Sequence, residues 1–165
     1  MQFGTIAVEQ KRAERRLRLI LKKVANRAFR GLPRGPWQVD VRMVGAALMK
    51  RLNTEYRNKD YATDILSFPA PLPFQEKGFL GELIVCLPTL KTQAQQYRHH
   101  PAIELDILLI HGFLHLLGMD HERGAQEAKR MARWESRILE DLRPSRKASH
   151  PSSHLGLIDR ADSGI

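Results

Sequence analysis

The segment Ile103 to Gly118, IELDILLIHGFLHLLG, limits what this chain can fold into more than any other. Its spacing is helical, yet apolar residues fall nearly all round it, so no side can be left to water and the helix must lie at the centre of the fold. Pro101 suits the first turn, where a missing amide hydrogen costs nothing, and Gly118 supplies a left-handed cap at the end. A chain of 165 residues can surround such a helix within one domain, burying roughly two thirds of the surface its unfolded form exposes.

The surrounding elements follow from shorter patterns. Phe3 to Val8 reads as a strand and Glu9 to Phe29 as a helix with Ala13, Leu17, Ile20, Leu21, Val24 and Ala28 inward. Trp37, Val39, Val41 and Met43 alternate with polar residues over a half-buried strand, and Gly45 to Leu52 suits a short helix. The polar NTEYRNKDYATD reads as a wide loop carrying Arg57, leading into the strand Ile65 to Phe68 and then APLP, which cannot be helix interior. Leu80 to Cys86 gives a fourth strand, Pro88 opens a helix to about Tyr97, and Gly124 starts the last helix, with Met131, Ile138 and Leu142 inward. The expected fold class is α+β: one domain over residues 1–142, a small mixed four-stranded sheet packed with about five helices, and a metal site at the central helix and its following turn. Residues 143–165 are rich in Pro, Ser, His and Gly and predict a mostly disordered tail.

Charge narrows the partners. Between Gln10 and Arg34 ten basic residues face one acidic residue, which accounts for the whole formal net charge of +9. A cationic face so concentrated points to a polyanion such as nucleic acid or acidic lipid, with Arg15, Lys22 and Arg27 as representative RNA-binding positions. The single cysteine, Cys86, excludes an intrachain disulfide framework, and no disulfide-linked partner is expected. The N-terminus shows no secretory pattern, and the longest apolar run, Met43 to Met49, falls far below the ~20 residues of a membrane span. The expectation is a cytoplasmic protein without a membrane partner.

The chemistry is concentrated in His111-Gly112-Phe113-Leu114-His115-Leu116-Leu117-Gly118-Met119-Asp120-His121. His111 and His115 lie one helical turn apart and project from one side, and Gly118 lets the chain reverse to bring His121 to them. Three neutral imidazoles with an open position suit one catalytic Zn²⁺ per chain, whereas a structural zinc usually takes four protein ligands. Water on such an ion loses its proton near pH 7. Asp120 and Glu122 flank the third histidine and can hold a ring N–H, whereas Asp106 is rotated away from the ligand face. The spacing matches H-E-x-x-H-x-x-G-x-x-H, but Gly112 stands where a metallopeptidase has its glutamate base, which disfavours a peptidase. Phosphodiester hydrolysis is better served by a guanidinium near the metal, a demand that Arg57 fits. Glu135 falls inward between Met131 and Ile138, where a carboxylate needs donors; among the ring N–H groups, the cleft arginines and the amides of the turn Gly118 to Gly124, the turn amides are the favoured partners.

From about Val39 to Leu142 the chain resembles the YbeY family of bacterial endoribonucleases, also described as ribosomal-RNA maturation factors. The likeness rests on Leu52-Asn53 with Tyr56-Arg57, Lys59-Asp60, Thr63-Asp64-Ile65-Leu66-Ser67-Phe68-Pro69, Gly81-Glu82-Leu83, the histidine motif, and Met131 with Glu135. The family typically has Gly-Asp-Ile where this chain has Gly-Glu-Leu. The resemblance implies a zinc-dependent, single-strand-specific endoribonuclease with His111, His115 and His121 as ligands, Arg57 as the essential positive charge, and Ser67 and Phe68 in the cleft. It further implies rRNA processing, including maturation of the 16S rRNA 3′ end, ribosome quality control, and partners among rRNA, the ribosomal small subunit and assembly factors. A non-catalytic, zinc-stabilised rRNA-binding assembly factor is the alternative.

Overall fold

The computed structural model describes residues 5–26 and 35–143. In chain order the elements are α1 (Ile6–Asn26), β1 (Gln38–Val44), α2 (Ala46–Arg57), β2 (Ile65–Pro69), α3 (Leu72–Gln75), β3 (Phe79–Cys86), α4 (Leu87–Gln96), α5 (Pro101–Leu116), a 3₁₀ turn (His121–Arg123) and α6 (Ala125–Leu142). The sheet has the order β1-β3-β2, with β1 parallel and β2 antiparallel to β3. Burial alternates along β1, Val39, Val41 and Met43 facing in and Gln38, Asp40 and Arg42 facing out.

Two expectations are corrected. The sheet among the described residues has three strands, not four, and there are six helices, not about five. Ile6 to Val8, expected as the end of a first strand, form the first turn of α1, whose start is fixed by the Val8 and Glu9 amides donating to the Thr5 carbonyl. The place a fourth strand would take beside β1 is served by a side chain of that helix. Gln10 Nε2 donates to the Val41 carbonyl at 2.8 Å, and the Met43 amide donates to Gln10 Oε1 at 2.7 Å, so the carboxamide satisfies edge groups that a strand would otherwise pair. The sixth helix is α3, a single turn capped at Pro71 with Pro73 in its first turn, positions where proline is tolerated. The expected tail, apart from Arg143, lies outside the described residues, as does Arg27.

The sheet has two apolar faces. Val39, Val41, Met43, Ile65, Leu83 and Val85 pack into the main core with α1, α5 and α6, while Val44, Leu66, Ile84 and Cys86 pack on Met49 of α2. Within the main core Leu108, Leu109, Phe113 and Leu114 of α5 are wholly buried, as expected of a helix apolar all round. Arg16 of α1 holds Asp106 of α5 through paired contacts of 2.7 and 2.6 Å, which accounts for an acidic residue in this apolar helix. The same contact raises the Arg16 guanidinium above its ordinary value, with burial opposing it. No described helix is long and apolar enough to cross a membrane.

Candidate metal centre

α5 ends in a Schellman motif: the Gly118 amide donates to the His115 carbonyl at 2.8 Å and the Met119 amide to the Leu114 carbonyl at 3.1 Å. Gly118 sits at φ +85°, a left-handed conformation that costs any side-chain-bearing residue. The reversed chain is then locked by Asp120, whose Oδ1 accepts from the Glu122 amide at 2.9 Å and whose Oδ2 lies 3.3 Å from Arg123 Nε. Asp120 thus fixes the 3₁₀ turn that carries His121.

The result is a cluster of three imidazoles, each offering a ligand atom within 4.8 Å of the others. His111 Nε2 and His115 Nε2 are 3.1 Å apart, and the His121 ring centroid lies 5.4 and 5.2 Å from those of His111 and His115. Both ring nitrogens of His121 are buried without a hydrogen-bond partner among the described residues. Buried orphaned nitrogens are costly unless something is bound to them. Burial, and then the neighbouring rings of His111 and His121, pull the His115 imidazole down to about 3, so it is neutral at physiological pH. A neutral nitrogen is what coordination requires. The donor set therefore fits a divalent ion that accepts nitrogen ligands, as expected from the motif.

Glu135 departs from the favoured reading. Its Oε1 lies 2.6 Å from His111 Nδ1, so it meets a ring N–H of the cluster and not the amides of the turn. An ionised carboxylate can only accept, so the His111 hydrogen sits on Nδ1 and the lone pair on Nε2, toward the other two rings. Of the turn amides, those of Gly118 and Met119 donate to the α5 carbonyls of His115 and Leu114, that of Glu122 to the Asp120 carboxylate and that of Arg123 to the Asp120 carbonyl.

The remaining expected residues are placed less directly. Ser67 is buried on β2, its Oγ donating to the Gly112 carbonyl at 3.4 Å, which brings the strand against the motif. Phe68 points to the other face of the sheet and meets the Tyr56 ring edge-on at 5.0 Å. Arg57 is the last residue of α2 and is half-buried; it does not lie in a loop. The polar stretch misled because Asn53, fully buried, donates to the Tyr61 carbonyl at 2.8 Å, and Asn58 closes the helix at φ +56°. Arg15 and Lys22 are exposed on the outer side of α1. Gly112 is seated on the sheet, where a Cβ would meet Ile65 Cδ1 and Leu83 Cδ2 at 2.7 Å.

A cleft of about 710 Å³ opens beside His115, lined among others by Trp37, Pro69, Leu72, Leu80 and Leu116. Arg57 is not among its lining residues. Trp37, expected as a strand residue, lies just before β1 and lines this cleft; its position after the Gly35-Pro36 break is the sign of this in the sequence.

A family model described as Endoribonuclease YbeY matches residues 4–143. The chain belongs to the YbeY family. A YbeY endoribonuclease of Thermodesulfovibrio yellowstonii is 46% identical over 108 residues, covering 64% of this chain and 67% of that protein. One from an Anaeromyxobacter species is 44% identical over 107 residues, covering 65% of this chain and 55% of that protein, so the chain spans little more than half of that relative. The solution structure of a Thermotoga maritima protein superposes with a TM-score of 0.55 at 28% identity, over 84% of each chain. The YbeY model includes α1, which the sequence resemblance, beginning near Val39, left out.

Proposed function

We propose that this chain is a zinc-dependent, single-strand-specific endoribonuclease that hydrolyses RNA phosphodiester bonds in rRNA processing, including 16S rRNA 3′-end maturation, and in ribosome quality control. The observation that carries the reading is the convergence of three histidines whose third member has both nitrogens buried and unpartnered among the described residues, in a chain of the YbeY family. Zinc held by His111 Nε2, His115 and His121 would supply Lewis-acid activation of water and positive charge toward a phosphate.

The protein's own residues perform the rest. Glu135 retains the proton on His111 Nδ1 and keeps Nε2 directed inward; it is a positioning residue. His115 stays neutral without help from pH. Gly112 offers no carboxylate base, so the residues favour a reaction at phosphorus over peptide hydrolysis. Arg57 is the catalytic cation, binding non-bridging phosphate oxygens as charge accumulates on them. Its support is the family motif Tyr56-Arg57, not a contact with the histidines, since α2 packs on the sheet face opposite Gly112. Arg15 and Lys22, exposed on α1, add affinity for rRNA, and the small subunit and its assembly factors are the partners this implies.

The deciding experiment compares metal-loaded protein, chelated protein and His115→Ala on a structured rRNA fragment. Cleavage is expected only from the first. Arg57→Ala is expected to keep fold and metal while cleavage falls roughly 10²-fold, with Arg57→Lys a partial rescue because an ammonium lacks paired donors. RNA binding without chelator-sensitive cleavage by the wild type would favour the non-catalytic assembly factor, for which the exposed basic residues of α1 already speak.

A further inference from the structure

The cleft beside His115 has walls of a kind that phosphate chemistry alone does not call for. One is Trp37, half-buried, its ring edge-on to the fully buried Phe113 at 5.5 Å, so the indole is anchored in the core. Another wall comes from α3, where Leu72 remains 71% exposed although it is apolar. Pro69, Leu80 and Leu116 complete an apolar lining, with the exposed Glu76 and Lys77 placing one charge of each sign at its edge. A volume of about 710 Å³ is in the range of sites that enclose small organic groups.

Resting on the endoribonuclease reading, we propose that this cleft is a nucleobase subsite: one unpaired base of the RNA strand lies against Trp37 while Lys77 meets a neighbouring backbone phosphate. A nucleobase is the part of RNA with flat, weakly polar faces, and stacking on an aromatic side chain is indifferent to base identity. His115 belongs to both the cleft and the histidine cluster, so a base seated there places its own strand at the metal centre. A paired base is held in its helix and cannot enter, which gives single-strand preference a physical origin beyond cleft width.

The test uses the full chain with an unstructured oligoribonucleotide, the same oligomer carrying abasic positions, and an unstructured leucine-rich peptide. The base-bearing oligomer is expected to quench tryptophan emission of the wild type and not of Trp37→Leu. Trp37→Leu is expected to raise KM on it roughly tenfold while kcat changes far less, with Trp37→Phe restoring most of the loss. On the abasic oligomer wild type and Trp37→Leu should have equal KM. Leu72→Asp, at an exposed position that cannot disturb the core, should weaken the base-bearing oligomer in the same way. Equal KM for wild type and both variants on base-bearing RNA, or quenching by the peptide and not by RNA, would overturn the subsite. A wild type that cleaves no RNA would defeat the endoribonuclease reading instead, and the base-dependent quench would then decide the subsite by itself.

Discussion

Two glutamate–histidine pairs flank α5, one at each end, and they do different things with the same chemistry. At the N-terminal end His99 Nε2 meets Glu104 Oε2 at 2.5 Å, with Glu104 wholly buried and the partners five residues apart. At the other end His111 Nδ1 meets Glu135 Oε1 at 2.6 Å, joining α5 to α6. The first pair closes a local turn, and its histidine is not part of a metal-capable group among the described residues. The second leaves a nitrogen facing two further imidazoles. A carboxylate on a histidine is therefore not a site in itself; what decides is where the ring's other nitrogen points.

The comparison can be broken most sharply by deleting each histidine. His111→Ala is expected to take metal content from about one ion per chain to near zero, while His99→Ala leaves it unchanged, as read by metal analysis of purified protein. Next in size is Glu104→Ala, which strips a buried pair of its acid and should cost about 3 kcal/mol in denaturant unfolding of the metal-free protein, with no change in metal stoichiometry. Glu135→Gln should do the converse. Its unfolding free energy should barely move, whereas metal affinity measured against a competing chelator should fall roughly 10-fold or more. Equal affinity for wild type and Glu135→Gln would make both pairs structural.

The smallest effect concerns pH. The folded His115 imidazole titrates at about 3 against an ordinary 6.5, so the folded state binds fewer protons than the unfolded state across that interval. The stability associated with its neutral form is present above about 6.5 and is lost as pH falls toward 3. Metal-free His115→Gln should therefore lose less stability than wild type between pH 7 and pH 4.5 in denaturant titrations. Identical losses would show that His115 is not held neutral by burial and its neighbours.

What could be read in the sequence was what depends on near neighbours. The place of α5, the one-turn spacing of His111 and His115, and the reversal at Gly118 need only helical period and glycine's freedom, and all three stand in the structure. Glu135 was legible as an inward carboxylate, but its partner was not, because choosing between a ring N–H and a turn amide requires the packing of α6 on α5. The missing strand and the lengthened α2 failed for one shared reason. Gln10 and Asn53 are polar residues that satisfy distant backbone groups, and such tertiary hydrogen bonds leave no periodic trace. The place of Trp37, just before β1, is likewise not legible, since strand alternation describes which residues face in and not what lies beside them.

The seat of Gly112 bears on how far this chain can travel by mutation. A side chain there must displace the terminal methyls of Ile65, at the start of β2, and Leu83, at the middle of the β2/β3 pair, and crowd Ser67 Oγ at 3.2 Å. A glutamate between the first two histidines would thus be overpacked before it could touch a water, and such insertions commonly cost about 1–3 kcal/mol or more. Room for that base requires the terminal methyls of Ile65 and Leu83 to move aside, and truncating either residue to make the room would open a cavity that is itself destabilising. The histidine spacing is shared with the metalloproteases, yet a carboxylate at this position would be set against the sheet, so gaining that base by this one change would cost packing before it could supply any chemistry.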